Sequence, residues 1–205
     1  SGQRNGSKIR ATAVGQAFHS AGASGFDGLV RITPDGVLHI HSGVGNLGTY
    51  SYASTSRVAA DALKYDWDNC QIVRGDSSLG LPWNLGQFGS NTSFTMTRTN
   101  YAAAMDALRK LKEIAAIEFG GSAEDYDISG ENVFSKSNPS RRMSYARAAQ
   151  KAIELGGAYS GHTVPDDINP MTARAVAGVV DTGLIGVARD NMGQSGMVPA
   201  LAAGF

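Results

Sequence analysis

A chain of 205 residues, of which 42% are hydrophobic and 18% charged, can bury a core of its own, and this excludes an intrinsically disordered protein. Its net charge of zero excludes a general nucleic-acid or membrane-surface binder, and no apolar run reaches the roughly 20 residues that span a bilayer. The single cysteine, Cys70, excludes a disulfide framework, a zinc knuckle and a cysteine-ligated iron–sulfur cluster within this chain. We therefore expect one domain over residues 1–205 and a cytoplasmic protein, with the periplasm as the alternative.

The first predicted elements are two strands, 28–33 and 37–43, separated by the turn tripeptide P-D-G at 34–36. Proline, aspartate and glycine are typical turn residues, so the pattern predicts an antiparallel hairpin. Alternation along the second strand places His39 and His41 on one face. Two histidines can bind a metal, but no further ligand cluster is evident, so we interpret the pair as solvent-facing or hydrogen-bonded.

Helices and strands alternate in the remainder of the chain. Apolar spacing and turn residues predict helices at 50–64, 99–119, 144–155 and 170–180, strands at 67–73 and 183–188, and a short hairpin or strand at 130–139. Ser144 is expected to cap the third helix, and Pro170 is expected to begin the fourth. A hairpin followed by interleaved helices and strands predicts an α+β or irregular α/β fold, and we adopt α+β with helices packed on a mixed sheet.

A glycine-rich loop joins the hairpin to the first helix. Gly43, Gly45 and Gly48 spell G-x-G-x-x-G, which is typical of a dinucleotide lying across a helix start. A Rossmann fold also needs a parallel partner strand and an acidic residue at the end of that strand. Asp66 precedes the second strand, and the first strand belongs to a hairpin. An NAD(P)-dependent dehydrogenase that uses residues 43–48 is therefore the alternative function.

A second polar loop precedes the long helix. It carries Gly86, Gly89 and the run 90–93, whose side chains are hydroxyls and an amide. Such residues at a helix start leave backbone N–H groups free and add side-chain donors, so the loop suits a ligand rich in oxygen and other heteroatoms. The alternative interpretation is an elaborate helix cap. Two loop-to-helix junctions of this kind in one small domain favour a shared ligand.

The order of these segments resembles the molybdenum-binding subunit of the xanthine oxidase family, which includes xanthine dehydrogenases, aldehyde oxidoreductases and aerobic carbon monoxide dehydrogenases. In that family a glycine loop of the G-x-G-Q-G type precedes a helix, a strand, a G-D-S or G-D-T step and a loop of the G-x-[YF]-G-S-R-S-T type. The matching segments are GVGNLGTY (43–50), RVAADALKY (57–65), GDS (75–77), GQFGSNTS (86–93) and NYAAAMDALRKL (100–111). The resemblance spans the chain from residue 8 to its end.

The resemblance implies that both loops cradle a molybdenum–pyranopterin cofactor, often in a cytosine dinucleotide form in bacterial members. The positions that match the family's cofactor loops are Gly48, Thr49, Phe88, Gly89, Ser90, Asn91, Thr92 and Ser93. Thr49 stands where the family has glutamine, and Asn91 stands where arginine is common, so the polar contacts differ from the family pattern. No residue of this chain is predicted to ligate the metal.

The resemblance also implies parts that this chain lacks. The family's catalytic glutamate lies near the far end of the subunit in a G-x-x-E context, and the last glycine-rich stretch here, GQSGMVPALAAGF (193–205), has no carboxylate. The first cofactor lobe, with its G-G-x-F-G motif, also has no counterpart here. We therefore expect one lobe of a molybdenum hydroxylase or dehydrogenase that oxidises a small organic substrate with water-derived oxygen, and that is inactive in isolation. The expected partners are the remaining lobe of the molybdenum subunit and domains or subunits that carry 2Fe-2S clusters and FAD. A non-catalytic structural domain of a larger complex is the third possibility.

A missing lobe implies an apolar contact surface on this one, because interfaces within a subunit bury apolar side chains. The candidates for that surface are Leu85, Phe88, Phe94, Met96, Leu201 and Phe205.

Overall fold

The computed structural model describes residues 2–22, 25–76, 78, 80–84, 86–190 and 198–202. The described strands are β1 (Gln3–Asn5), β2 (Lys8–Arg10), β3 (Ala17–Ala21), β4 (Asp27–Ile32), β5 (Leu38–His41), β6 (Cys70–Val73), β7 (Tyr126–Ser129), β8 (Asn132–Ser135), β9 (Arg142–Ser144), β10 (Leu184–Arg189) and β11 (Val198–Ala202). The described helices are α1 (Ser51–Ala62), α2 (Thr97–Phe119), α3 (Tyr145–Leu155), α4 (Gly157–Ser160) and α5 (Pro170–Ala177), with a π-helical turn at Thr92–Met96 and 3₁₀ turns at Trp67–Asn69 and Ala123–Asp125.

A mixed sheet in the order β10-β4-β5-β6 forms the centre of the fold. β4 and β5 are the antiparallel hairpin predicted from the P-D-G turn, with Ile32 opposite Leu38. β10 pairs antiparallel with β4, whereas β6 pairs parallel with β5. The α+β class, with an N-terminal hairpin and helices packed on a mixed sheet, is therefore confirmed. Smaller antiparallel sheets join β1 to β2, β3 to β11, and β7 to β8 and β9.

The parallel pairing of β5 with β6 corrects one step of the sequence argument. β5, α1 and β6 form a βαβ unit, in which the carboxyl ends of both strands meet at one edge of the sheet. The hairpin does not exclude such a unit, because β5 pairs with β4 on one side and with β6 on the other. The loops that follow β5 and β6 therefore start side by side.

α2 lies directly against one face of the sheet, and two glycines permit this contact. A Cβ on Gly28 would lie 2.1 Å from the carbonyl oxygen of Thr99, and a Cβ on Gly186 would lie 2.5 Å from that of Ala103. The core on this face includes Val30, Ile32, Leu38, Ile40, Leu63, Leu111, Ile114, Tyr145 and Leu184. α5 covers the opposite face, where a second core includes Leu29, Ala175, Val176, Val179, Ile185 and Val187.

Helix starts agree with the sequence where capping chemistry marks them. The Ser144 hydroxyl accepts a hydrogen bond from Arg147 N (3.2 Å), so Ser144 caps α3 as predicted. Pro170 begins α5 as predicted, and the Asn169 side chain caps it. α5 ends earlier than predicted, because the apolar residues after it lie in a turn packed against the sheet.

His41 departs from the expectation of a solvent-facing or hydrogen-bonded histidine. It is 2% exposed, and neither ring nitrogen has a hydrogen-bond partner among the described residues, whereas His39 is half-buried. Among the residues that the structure describes, no group of three or more His, Cys, Asp or Glu side chains is arranged to hold a metal ion. Each helix that the structure describes is too short or too polar to cross a membrane.

Candidate functional site

Two loops meet at the carboxyl edge of β5: the first loop (residues 43–50) and the second loop (residues 80–84 and 86–93). Gly43 N donates to Asn84 Oδ1 at 2.6 Å, and Leu47 N donates to Gln87 Oε1 at 2.9 Å. Gln87 Nε2 also donates to Ser51 Oγ, at the start of α1, at 2.9 Å. Two amide side chains of the second loop thus fix the first loop and the helix that follows it.

A cavity of about 240 Å³ lies between the two loops. Its lining consists of Leu47, Thr49, Ser51, Gln87, Phe88, Gly89, Ser90, Asn91, Thr92 and Ser93. All the residues that matched the family's cofactor loops line this cavity except Gly48. The structure therefore brings the predicted site residues together, although their contacts with a cofactor stay predictions.

Gly48 shapes the first loop and does not line the cavity. Its φ of 90° lies in the left-handed region, and its N–H donates to Asn46 Oδ1 at 3.0 Å. Tyr50 N donates to the same Asn46 oxygen at 3.1 Å, so this side chain organises the turn that leads into α1. Thr49 projects between them as an exposed residue whose hydroxyl donates to Ser51 Oγ at 3.2 Å.

The second loop enters α2 through a strained turn. Gly89 and Ser90 have φ values of 53° and 54°, and this region is uncommon for a residue with a side chain. The π-helical turn Thr92–Met96 follows at once. Left-handed residues and single π turns are both enriched at functional sites, so the backbone here supports a ligand-binding role.

Asn91 faces inward and is 1% exposed. Its Nδ2 donates to the carbonyl oxygen of Gly86 at 3.0 Å, and its Oδ1 accepts a hydrogen bond from the Thr95 hydroxyl at 2.6 Å. The amide is therefore occupied with holding the second loop against the π turn. Sequence comparison with the family's arginine gave no sign of this internal role.

Thr92 supplies the test of whether the cavity fits a polar ligand. Its side chain lines the cavity and is 6% exposed, yet its Oγ1 has no hydrogen-bond partner among the described residues. Buried polar atoms in folded proteins are nearly always paired, so an orphaned hydroxyl in a cavity wall calls for a partner that comes from outside the chain. A heteroatom-rich cofactor has the acceptors and donors to fill this role.

Three further buried polar atoms, in or next to β5, α1 and α2, also lack hydrogen-bond partners in the described part of the chain. Ser42 Oγ, Ser56 Oγ and Asn100 Oδ1 are buried polar atoms without partners among the described residues. Ser42 directly follows β5, Asn100 lies in the first turn of α2, and Ser56 lies in the middle of α1.

A cationic side chain flanks the first loop. The guanidinium of Arg74, just after β6, stacks over the Tyr52 ring with 3.8 Å between them. Arg74 is exposed and forms no salt bridge within the described part of the chain. Its positive charge is therefore available beside the start of α1.

Exposed apolar side chains surround the cavity. Leu47 is 73% exposed, Tyr50 is 65% exposed and Phe88 is 62% exposed. The predicted exposure of Phe88 is confirmed, but that of Met96 is wrong, because the π turn directs this fully buried side chain into the core. Phe94 is partly buried, and the Arg98 guanidinium carbon lies 5.0 Å from the centroid of the Phe94 ring. Leu85, Phe205 and the Leu201 side chain lie outside the described residues.

Solved structures share this fold. CO dehydrogenase from Oligotropha carboxidovorans superposes with a TM-score of 0.65 at 17% identity, over 92% of this chain and 22% of its own. A Cu,Mo-CO dehydrogenase in the carbon monoxide reduced state superposes with a TM-score of 0.63 at 18% identity, over 92% of this chain and 22% of its own. Quinoline 2-oxidoreductase from Pseudomonas putida 86 superposes with a TM-score of 0.59 at 16% identity, over 92% of this chain and 23% of its own. This chain therefore spans less than a quarter of the length of those chains.

Among curated protein sequences, none matches the chain. The family described as the molybdopterin cofactor-binding domain matches residues 2–181, which is most of the chain. The protein therefore belongs to the molybdopterin cofactor-binding domain family, and the resemblance predicted from its loops is confirmed.

Proposed function

We propose that this chain is the cofactor-binding lobe of a molybdenum hydroxylase or dehydrogenase of the xanthine oxidase family. The single observation that carries the proposal is the buried Thr92 hydroxyl in the wall of the cavity between the two loops, which has no partner in the described part of the chain. Membership of the molybdopterin cofactor-binding domain family supports the choice of cofactor class. The nucleotide form of the cofactor, for which the family resemblance suggests a cytosine dinucleotide, belongs to the same proposal.

The chain's own residues bind and orient the cofactor. Thr92 would donate to it from the buried wall, and Thr49, Ser90 and Ser93 would offer hydroxyls from the rim. The exposed ring of Phe88 presents a flat apolar surface against which a pterin or a base can pack. When bound, the cofactor's metal centre supplies the two-electron redox chemistry that oxidises a small organic substrate with water-derived oxygen.

Arg74 compensates in this proposal for the arginine that the second loop lacks. Asn91 stands in the family's arginine position, but its amide is occupied inside the loop. Arg74 places a cation beside the start of α1, where a helix N-terminus also favours negative charge. A phosphate group of the cofactor is the anion that this pair of features would attract.

The proposed protein acts within a larger subunit, in which residues 1–205 form one domain. The remaining lobe of the molybdenum subunit would cover the exposed Leu47, Tyr50 and Phe88, and the 2Fe-2S and FAD groups would belong to partner domains or subunits. The chain spans about a fifth of the solved chains that share its fold, and this supports a partial role. A cytoplasmic location is proposed, with the periplasm as the alternative.

One observation favours the NAD(P)-dependent alternative. β5, α1 and β6 supply the βαβ unit that a dinucleotide site needs, and G-x-G-x-x-G lies between β5 and α1. Saturable binding of NAD or NADP by the isolated chain would favour this function over the molybdenum cofactor. We expect no saturable binding of NAD or NADP at millimolar concentrations of either nucleotide.

The experiment that tests the proposed function compares Thr92→Val with Thr97→Val in the complete enzyme subunit. Valine keeps the shape of threonine and removes only the hydroxyl, and the Thr97 hydroxyl, which lies outside the cavity lining, donates to Ser93 O at 2.6 Å within the helix. Thr92→Val is expected to lower the pterin and molybdenum content several-fold with little change in the unfolding midpoint. Equal cofactor content in the two variants would contradict the proposal.

A further inference from the structure

A second cavity, of about 530 Å³, lies on the face of the sheet opposite α2. One wall is the stripe of α5 formed by Met171, Arg174 and the following Gly178, spaced three and four residues apart. The other wall is the segment 80–84, which includes Leu81, Pro82 and Trp83. Its volume lies in the range of small-molecule sites, which are lined mainly by apolar side chains.

The wall that carries Trp83 is held rigidly. Trp83 N donates to the Thr172 hydroxyl on α5 at 2.8 Å, and the Trp83 carbonyl accepts a hydrogen bond from Asp27 N at 3.0 Å. The indole stacks on Phe26 with 6.0 Å between ring centroids. At the other end, Gly80 approaches Ala175 so closely that a Cβ on the glycine would lie 3.0 Å from the alanine Cα. The cavity is thus preformed.

The charge of this cavity is unbalanced. Arg174 lines it, and its side chain forms neither a hydrogen bond nor a salt bridge within the described part of the chain. None of the described lining residues is acidic. The nearby carboxylate of Asp27 is occupied by Arg189 Nε at 3.1 Å and by Asn169 N at 2.8 Å. An anion is therefore the ligand that this cation can accept.

A buried polar group without a partner among the described residues lies two residues before one lining residue of the cavity, and it is not itself part of the lining. Gly43 lines the cavity, and His41 lies two residues earlier on the same side of the extended chain, about 7 Å away. The His41 ring is 2% exposed, and neither nitrogen has a hydrogen-bond partner among the described residues. Burial lowers the pKa of His41 to about 3, so the ring is neutral and offers one donor and one acceptor.

We propose that this cavity binds a small organic carboxylate, whose flat apolar body lies against Trp83 and whose carboxylate pairs with Arg174. The apolar walls and the volume select a body of one or two rings, and the lone guanidinium selects the anionic group. This site is separate from the cavity between the two loops, and the proposal stands or falls independently of cofactor binding.

The test uses the 205-residue chain with 1-naphthoate as the probe and its uncharged amide as the matched neutral compound. Binding is followed by the two indole N–H signals in ¹H–¹⁵N spectra, which a Trp67→Phe variant assigns. We expect 1-naphthoate to shift the Trp83 signal with a Kd on the order of 0.1–1 mM, and the amide to bind about tenfold more weakly.

Four substitutions separate an effect on binding from an effect on folding. Arg174→Met should raise the Kd for 1-naphthoate about tenfold and remove the preference over the amide, whereas Arg142→Met, which removes an exposed charge from β9, should change neither. Met171 is 57% exposed at the rim, so Met171→Lys should tighten binding and Met171→Glu should weaken it, with unchanged unfolding midpoints.

Several outcomes would overturn the proposal. These are the absence of any Trp83 shift at 10 mM probe, equal affinity for the acid and the amide, or an Arg174→Met variant that binds as the original chain does. A shift of the Trp83 signal that grows with protein concentration in the absence of probe would instead assign the cavity to contact between copies of the chain.

Discussion

Asn84 holds Gly43 through a 2.6 Å hydrogen bond from the glycine N–H to the amide oxygen, and this bond joins two loops that lie 41 residues apart in sequence. The other end of the same amide donates to the carbonyl oxygen of Asp27 at 2.8 Å. One side chain thus fixes the first loop, the second loop and the start of β4 in a single arrangement. The cavity between the loops depends on that arrangement.

Gly43→Ala tests how closely the loops must approach. A Cβ at this position would lie 2.5 Å from the carbonyl oxygen of Pro82, so the backbone must shift and we expect a loss of roughly 1–3 kcal/mol in the free energy of unfolding. Gly45→Ala is the matched control, because a Cβ there meets nothing within 4 Å. Urea denaturation measures both. Equal destabilisation would show that the Gly43–Pro82 contact has no special role.

Gln87→Ala tests the amide that links the loops above the cavity. The substitution removes the acceptor of Leu47 N and the donor to Ser51 Oγ, so the first loop should loosen and cofactor content in the complete subunit should fall several-fold. Gly45→Ala is the comparison, because Gly45 lies outside the cavity lining and a Cβ there meets nothing within 4 Å, so the cofactor content of this variant should be unchanged. A Gln87→Ala subunit with full pterin content would exclude this role.

His41 should make the folded chain less stable in acid. Its pKa falls from 6.5 in the unfolded chain to about 3 in the folded one, because burial disfavours the charged ring. Between these values the unfolded chain binds more protons, so stability is lost as the pH falls below about 6.5, by at most about 1.4 kcal/mol per pH unit. Urea denaturation at pH 7 and pH 5 should show a smaller difference for His41→Gln. An unchanged difference would place the acid sensitivity elsewhere.

Local chemistry explains which elements could be predicted from the sequence. The P-D-G turn, the Ser144 cap and the proline that begins α5 each act within a few residues, so their signals survive without knowledge of the fold. The parallel partner of β5 could not be recognised in this way. Its pairing depends on α1 returning the chain to the sheet, and the hairpin turn carries no information about that second edge.

The site was predicted in its outline and missed in its internal contacts. The spacing of glycine and hydroxyl residues identified both loops, and the structure places them around one cavity. Asn84 and Gln87 were missed, because an amide that ties two loops together has no periodic signal in either of them. A signal for them was present in the second loop, because its amide side chains can donate to and accept from the backbone of a neighbouring turn.

The burial of two side chains, those of Asn91 and Met96, also could not be predicted from the sequence. Asn91 lines the cavity but is 1% exposed, and Met96, which the sequence places on the surface, is fully buried. The π turn Thr92–Met96 inserts an extra residue into the helical register and rotates the side chains before it relative to those after it. Apolar periodicity assumes 3.6 residues per turn, so it cannot represent this step.

The most direct measurement of the central claim is a structure of the cofactor-loaded subunit that contains this lobe. We predict pyranopterin density between Leu47–Ser51 and Gln87–Ser93. An acceptor or donor atom of the cofactor should lie within about 3.2 Å of Thr92 Oγ1, and the Phe88 ring should lie against the flat surface of the pterin. Cofactor density that leaves Thr92 Oγ1 without a partner, or that contacts neither loop, would contradict this prediction.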